Sequence, residues 1–304
     1  MNASAVVFAY HNVGVRCLQV LLAQGVDVRL VVTHEDNPAE NIWFSSVRRL
    51  ALERGIPVIT PADPNATEIV ARVREANPDF LFSFYYRHML KAPLLSIAPR
   101  GCFNLHGSLL PKYRGRVPIN WAIIKGETET GATLHAMTEK PDNGDIVDQM
   151  AVPILPDDTA QDVFDKVLVA AELVLHRSLP ALVAGTAKLT RQDLSKGAYF
   201  GGRKAEDGRI AWTQTAQQVH DLVRAVTRPY PGAFTDTAAG RLVIWRTLRT
   251  SRRDAGLPEL IADDALHVRC CDGAWLRVLE AELDGKPLDA ARLRNEHGGK
   301  LQLV

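Results

Sequence analysis

An excess of charge is the first thing missing from this 304-residue chain: 36 Lys and Arg stand against 35 Asp and Glu, for a formal net charge of +1. No bulk positive footprint for nucleic acid is present, although a local patch remains compatible with that total. Long apolar runs are also missing. Nowhere do eighteen apolar residues run uninterrupted, and the apolar stretch at residues 5–9 follows no basic leader, so a cytoplasmic protein without membrane insertion is expected. Cysteine is scarce: Cys17, Cys102, Cys270 and Cys271 show neither a zinc spacing nor a secreted disulfide framework and are expected to be buried thiols. Glycine is short at one informative place. The turn Tyr10-His11-Asn12-Val13-Gly14 holds one glycine where a dinucleotide fingerprint needs three, and no Walker loop occurs, which disfavours NAD-dependent chemistry and P-loop hydrolysis. Internal repeats and low-complexity tracts are absent.

What is present is a chain that is 46% hydrophobic and long enough for two domains. In the first half, short apolar runs at residues 6–10, 28–33, 58–59, 80–84 and 102–106 read as buried parallel strands. Amphipathic stretches at 15–23, 44–54 and 68–76 read as covering helices, the second ended by Gly55 and Pro57. This alternation predicts an α/β, doubly wound, Rossmann-like domain whose ligands lie beyond the carboxyl ends of its strands. Residues 133–138 and 146–154 read as further strands, and 159–184 as a long helix capped by Gly185. Glycine-rich turn chemistry with little periodicity then marks a boundary, giving a domain over 1–188, a linker over 189–204 and a small β-rich domain over 205–304. That last part holds a helix at 216–226, strands at 241–245, 266–270 and 275–283, and an Asp284-Gly285 turn. The basic residues Arg246, Arg249, Arg252 and Arg253 read as an exposed loop face.

The segment Phe103-Asn104-Leu105-His106-Gly107-Ser108-Leu109-Leu110-Pro111 carries the chemical signal. On a strand, Asn104 and His106 share one face while Phe103 and Leu105 take the other. An amide donor beside an imidazole can stabilise a developing oxyanion. Such pairs on apolar strands are more often satisfied structural polar groups, so the surrounding sequence has to decide. Asp142 lies in Lys140-Pro141-Asp142-Asn143-Gly144-Asp145, a loop in which an acid by itself reads as turn support.

The surrounding sequence resembles the folate-dependent formyltransferases. That resemblance rests on Asn104-Leu105-His106, Ser108 to Pro111, Tyr113-Arg114-Gly115 and Asp142-Asn143-Gly144, in that order. Val7-Phe8-Ala9-Tyr10-His11, Ser83-Phe84-Tyr85-Tyr86-Arg87-His88 and the run 104–135 narrow it toward the formyltransferase part of the bifunctional lipid A enzymes of polymyxin resistance, which act on UDP-4-amino-4-deoxy-L-arabinose. It covers nearly the whole chain, is strong again at Val223-Arg224-Ala225 and Pro229-Tyr230-Pro231-Gly232-Ala233-Phe234, and thins beyond about residue 236.

The resemblance implies an OB-like second domain, N10-formyltetrahydrofolate as formyl donor, no metal, and Asn104, His106 and Asp142 as catalytic residues. It implies folate binding by Arg87, His88, Met89 and Leu90, by Arg116, and by Thr138, Glu139, Lys140, Pro141 and Asp142. The expected acceptor is a nucleotide-sugar, with Tyr113, Arg203 and Lys204 as its contacts, the two basic groups suiting a diphosphate. The chain lacks the decarboxylase domain of the bifunctional relatives, so a stand-alone enzyme is expected, with homo-oligomerisation left open. The nearest rival is a methionyl-tRNA formyltransferase, which needs a positive surface for tRNA. Here Thr33-His34-Glu35-Asp36-Asn37-Pro38-Ala39-Glu40 is acidic where the tRNA enzymes are basic, which favours a small amino-sugar and no nucleic acid partner. A formyl hydrolase and a folate-binding module with a decayed site are the readings from other classes, and the intact Asn, His and Asp speak against decay.

Overall fold

The computed structural model describes residues 3–37 and 42–303. Pro38, Ala39 and Glu40, the end of the acidic segment, lie outside the described residues. In chain order the first sheet is built from β1 (Ser4–Ala9), β2 (Asp27–Val32), β3 (Val58–Ile59), β4 (Phe80–Phe84) and β5 (Cys102–His106), then, after a two-residue β6 (Arg114–Gly115), from β7 (Glu129–Ala136) and β8 (Ile146–Pro153). Its spatial order is β3-β2-β1-β4-β5-β7-β8. The first five strands pair in parallel and β7 joins β5 antiparallel. Every residue of β1 and β4 is buried, which is why these strands read as continuous apolar runs rather than alternating ones. The order reverses between β1 and β4, so the chain leaving both strands meets at the point where doubly wound sheets open a crevice.

Helices α1 (His11–Ala23), α2 (Val47–Glu53), α3 (Thr67–Glu75) and α4 (Ala92–Leu95) fill the crossovers. The helix expected from residue 44 begins only at Val47, because the Ser46 hydroxyl accepts from the Arg49 amide at 3.2 Å and caps it there. The strand expected over 133–138 is shifted toward the N-terminus as β7. At Gly131 it runs so close to β8 that an added Cβ would stand 2.1 Å from the Met150 carbonyl oxygen.

A short α5 (Pro118–Ile124), unanticipated, precedes β7, and the long α6 (Ala160–Ala184) follows β8. By length and mean hydropathy, 1.6, α6 could cross a bilayer. Its buried residues Val163, Val167, Ala170, Ala171, Val174 and Leu175 recur at the spacing of one helical face, and Glu172 pairs with Arg16 at 2.6 Å, as in a core helix.

Beyond β9 (Tyr199–Phe200) come α7 (Ala216–Val226), β10 (Ala233–Thr237), β11 (Gly240–Arg253), β12 (Glu259–Ala262), β13 (Leu266–Arg269), β14 (Ala274–Leu283), β15 (Lys286–Pro287), α8 (Ala290–His297) and β16 (Lys300–Gln302). They form a curled antiparallel sheet of order β10-β11-β14-β13-β12-β16, in keeping with the OB-like expectation. Arg246, Arg249, Arg252 and Arg253 lie on β11, not on a loop: pairing with β14 extends that strand, and Arg252 is tied to Asp263 at 2.7 Å. Cys17, Cys102 and Cys270 are buried as expected, but Cys271 is exposed, because β13 ends at Arg269 and Cys271 falls in the following turn.

The chain divides into two compact units. One takes the chain through Pro118 together with Thr130–Val152 and Asp165–Phe200, and the other takes Ile119–Glu129, Pro153–Phe164 and the chain from Gly201 onward. Residues 190–200 are tied within the first unit, where Thr190 bridges Ile146 and β9 pairs in parallel with β6.

Candidate active site

The antiparallel register of β5 and β7 sets Asn104 opposite His135 and His106 opposite Thr133, so these four side chains belong to one face. The loop leaving β7 then carries Asp142 back to that face. Asp142 Oδ1 lies 3.6 Å from His106 Nδ1 and 3.5 Å from His135 Nε2, while the Asn104 amide nitrogen lies 3.1 Å from His135 Nε2. The other carboxylate oxygen, Oδ2, accepts the Gly115 amide at 2.8 Å. The far nitrogen of His106, Nε2, sits 2.8 Å from the Tyr113 carbonyl and therefore carries a proton. Asn104, His106 and Asp142, singled out from the sequence, are thus brought together. His135 stands among them.

Burial pushes the Asp142 carboxyl up, but the charge on the His106 ring first, and then the Gly115 amide, work against it, and the group is held well below the usual carboxylate range. The acid side chain is 11% exposed and the His106 ring 8%, so the pair is screened little by solvent. Asp142 itself has φ +55°, a left-handed conformation that Asp tolerates better than most residues.

Several contacts hold this strained loop. Gln192 Nε2 donates to the carbonyls of Asp142 at 3.0 Å and Gly144 at 2.6 Å, and Arg114 donates to Asn143 Oδ1 at 2.8 Å. Gly144 lies so close to β7 that a Cβ there would stand 1.9 Å from the Ala136 carbonyl oxygen. The neighbouring Ser108-Leu109-Leu110-Pro111 turn is also internally satisfied. The Thr133 hydroxyl donates to the Ser108 carbonyl at 2.6 Å, the Leu110 amide donates to the same hydroxyl at 3.1 Å, and Ser108 Oγ donates to the Lys112 carbonyl at 2.7 Å. That motif serves to fix the chain after His106.

The segments expected to bind folate belong to the first unit. Leu90 is buried in a core cluster with Val6, Phe8 and Leu30, and Tyr86 and Met137 pack against that same cluster. Arg87 spreads its guanidinium over the Tyr10 ring at 4.8 Å and gives its amide to His34 Nε2 at 3.0 Å. His88 meets the His34 ring edge-on at 4.9 Å, and Met89 is 48% exposed. Thr138 donates to the Lys140 carbonyl at 2.8 Å, while Glu139 and Lys140 are exposed and Pro141 is half-buried. Arg116 is exposed, its amide bound to the Phe200 carbonyl at 2.9 Å. Nearby, burial and the Arg87 charge lower His11 to about 4.

Of the residues expected to meet an acceptor, Tyr113 belongs to the first unit, its ring stacked on Phe200 at 5.0 Å. Arg203 and Lys204 belong to the second unit. Arg203 lies 4.8 Å over the Trp121 ring, and the Lys204 amide donates to Asp207 Oδ2 at 2.6 Å. Sequence reasoning missed His135, Arg114 and Gln192. A signal for His135 existed: it is the one imidazole of β7, in a buried stretch and on the same parity as Thr133.

Two family models match, "Formyl transferase" over residues 11–179 and "Formyl transferase, C-terminal domain" over residues 203–298. Among solved structures, the chain is similar to an N-formyltransferase from Helicobacter canadensis held with folinic acid and dTDP-3-aminofucose. Identity is 21%, covering 91% of this chain and 99% of that one, with TM-score 0.73. It is similar to WlaRD, a sugar 3N-formyl transferase solved with dTDP and 5-N-formyl-THF, at 21% identity over 91% of this chain and 97% of that one, with TM-score 0.72. A likely sugar N-formyltransferase from Mycobacterium tuberculosis matches at 19% identity, 80% and 96% coverage and TM-score 0.63.

Proposed function

This chain belongs to the formyl transferase family, and on that premise we propose that it transfers the formyl group of N10-formyltetrahydrofolate to the amine of a nucleotide-linked amino-sugar, with UDP-4-amino-4-deoxy-L-arabinose as the acceptor. The observation that carries the reading is the meeting of Asn104, His106 and Asp142 on one face, with Asp142 held as a carboxylate. The amine nitrogen attacks the formyl carbon, and the carbonyl oxygen becomes an oxyanion. The Asn104 amide donates to it, and so does protonated His106 through Nδ1, since Nε2 is occupied by the Tyr113 carbonyl. Asp142 keeps the imidazole oriented and charged and accepts the proton that the amine loses. As the intermediate collapses, the bond from carbon to N10 breaks and N10 takes up the proton that Asp142 had received, leaving the formamide, tetrahydrofolate and Asp142 as a carboxylate again.

The segments 87–90 and 138–142, with Arg116, hold the folate, and Tyr113, Arg203 and Lys204 serve the nucleotide-sugar. This chemistry belongs in the cytoplasm and uses no metal. A sugar acceptor is favoured over tRNA by the near-neutral charge and by the acidic 34–40 segment, where Glu35 accepts from Thr60 at 2.8 Å and Asp36 from Tyr10 at 2.9 Å. A dTDP-linked amino-sugar is the second reading, favoured by the ligands named in two of the similar structures.

A thermal-shift panel followed by mass spectrometry tests this. A ligand that binds only the folded state adds about 2.7 kcal/mol at a hundred times its dissociation constant. UDP-4-amino-4-deoxy-L-arabinose should give the largest shift, dTDP-amino-sugars smaller ones and initiator tRNA none, and with formyl donor one formyl group should appear on the sugar amine. Formylation of methionyl-tRNA, with no product on any nucleotide-sugar, would overturn the acceptor class. Release of formate with every amine inert would overturn transfer itself.

A further inference from the structure

We infer that His135 is a positioning residue that fixes which end of the Asn104 amide faces the reacting carbonyl. The inference rests on the formyl-transfer reading, in which Asn104 must present an N–H to the oxyanion. An asparagine amide can reverse its oxygen and nitrogen with little change of shape, and the reversed form would aim a carbonyl oxygen at developing negative charge. Something has to choose between the two.

The ring of His135 makes that choice through its tautomer. Nδ1 lies 2.8 Å from the Ala136 carbonyl, which can only accept, so Nδ1 carries the hydrogen. In the neutral ring Nε2 is then a lone pair. The atom 3.1 Å from it must be a donor, which is the Asn104 nitrogen and not its oxygen. This is the only side-chain hydrogen bond of the Asn104 amide among the described residues. One N–H is consumed in the anchor, and the second stays available to a ligand. The frame is rigid: His135 is 2% exposed, and residues 104 and 135 face each other across the β5–β7 ladder. A doubly protonated His135 would reverse the logic. Nε2–H would then point at Asp142 Oδ1, 3.5 Å away, or draw in the Asn104 oxygen.

Substitutions that move the acceptor separate this role from plain packing. His135→Gln can place an amide oxygen near the position of Nε2, whereas His135→Asn can reach only the position of Nδ1 and leaves Asn104 without its anchor. We expect His135→Gln to keep kcat within roughly tenfold of wild type, and His135→Asn to lose on the order of 10²-fold, the scale of a lost oxyanion donor, with KM for the formyl donor nearly unchanged. Because His135 acts through Asn104, adding His135→Asn to Asn104→Ala should cost nothing further. Equal kcat in the Gln and Asn variants, or additive losses in the double variant, would overturn the inference.

An assay-independent reading is nitrogen NMR of the imidazoles in the wild-type protein, assigned with His135→Gln. It should show His135 protonated at Nδ1 and bare at Nε2, and a proton on Nε2 would also overturn the inference. If no amine acceptor is formylled at all, the functional reading fails while the tautomer is still decided by NMR.

Discussion

Gln192 holds Asp142 by its backbone: the side-chain amide donates to the Asp142 carbonyl at 3.0 Å and to the Gly144 carbonyl at 2.6 Å, from 50 residues further along the chain. The clamp acts on a residue at φ +55°, so it offsets backbone strain as well as tethering the loop. Gln192→Ala should therefore cost about 1–3 kcal/mol, because a buried and a part-buried carbonyl lose their donor. Its kcat should fall more than its KM, since Asp142 would be misplaced and not removed. Urea melts and steady-state kinetics check both, and unchanged kcat would show that the loop holds itself.

Asn104→Ala, His106→Ala and Asp142→Ala should each fold and each lose on the order of 10²-fold or more in rate, the magnitude seen when a preorganised donor or general base is removed. His106 and His135 both adjoin Asp142 Oδ1, and His135 in turn holds the Asn104 amide, so the three act as a unit and double variants should fall far short of the product of the single losses. Near-wild-type turnover in any one removes that residue from the mechanism.

How much of this was visible in the sequence depends on where each contact's partner lies. Strands β1, β4 and β5 are buried on both faces, so their apolar runs announced them, and the period of two placed Asn104 and His106 on one face before any coordinates. The link from Asn104 to His135 comes from a cross-strand register 31 residues away, which no local pattern encodes. Gln192 was hidden for the same reason, inside a stretch whose glycines and lack of periodicity suggested a linker. Arg246 to Arg253 misled in the opposite direction. Their charge suggested a loop, whereas the backbone there is held by β14 and the Arg252 side chain by Asp263 and Asp254.

A second buried pair lies in the other unit. Arg224 and Asp221 meet at 2.7 Å with side chains 7% and 3% exposed, and the same guanidinium donates to the Asp158 carbonyl at 3.0 Å. Arg224→Met should destabilise by about 3–5 kcal/mol, because it leaves Asp221 charged and buried with Gln217 as its remaining side-chain hydrogen-bond donor among the described residues. Adding Asp221→Leu should recover much of that loss, as replacing both ions by apolar groups often does. Thermal melts of the single and double variants decide, and a double variant less stable than Arg224→Met would contradict the account.

Acid should weaken the protein through two windows, with His11 contributing to the upper one and Asp142 to the lower. His11 has its ordinary value of 6.5 lowered to about 4 by burial and then by the Arg87 charge. The unfolded chain therefore binds a proton between those values that the folded chain refuses, so stability is complete above about 6.5, declines as the pH falls and levels off near 4. Asp142 acts lower. Its folded value is depressed, so its contribution is present above the ordinary carboxylate value of about 3.9 and is lost only as the pH falls further through the folded value. His11→Asn isolates the first window, because it removes the titration and suits the +66° φ at this position, a conformation asparagine adopts readily. Urea denaturation at pH 7, 5.5 and 4 should show the wild type losing more stability than His11→Asn across that interval. Below pH 4 the two should lose stability in parallel, since both retain Asp142. Equal losses between pH 7 and 4 would mean that His11 is protonated in the folded state and that neither its burial nor Arg87 keeps it neutral.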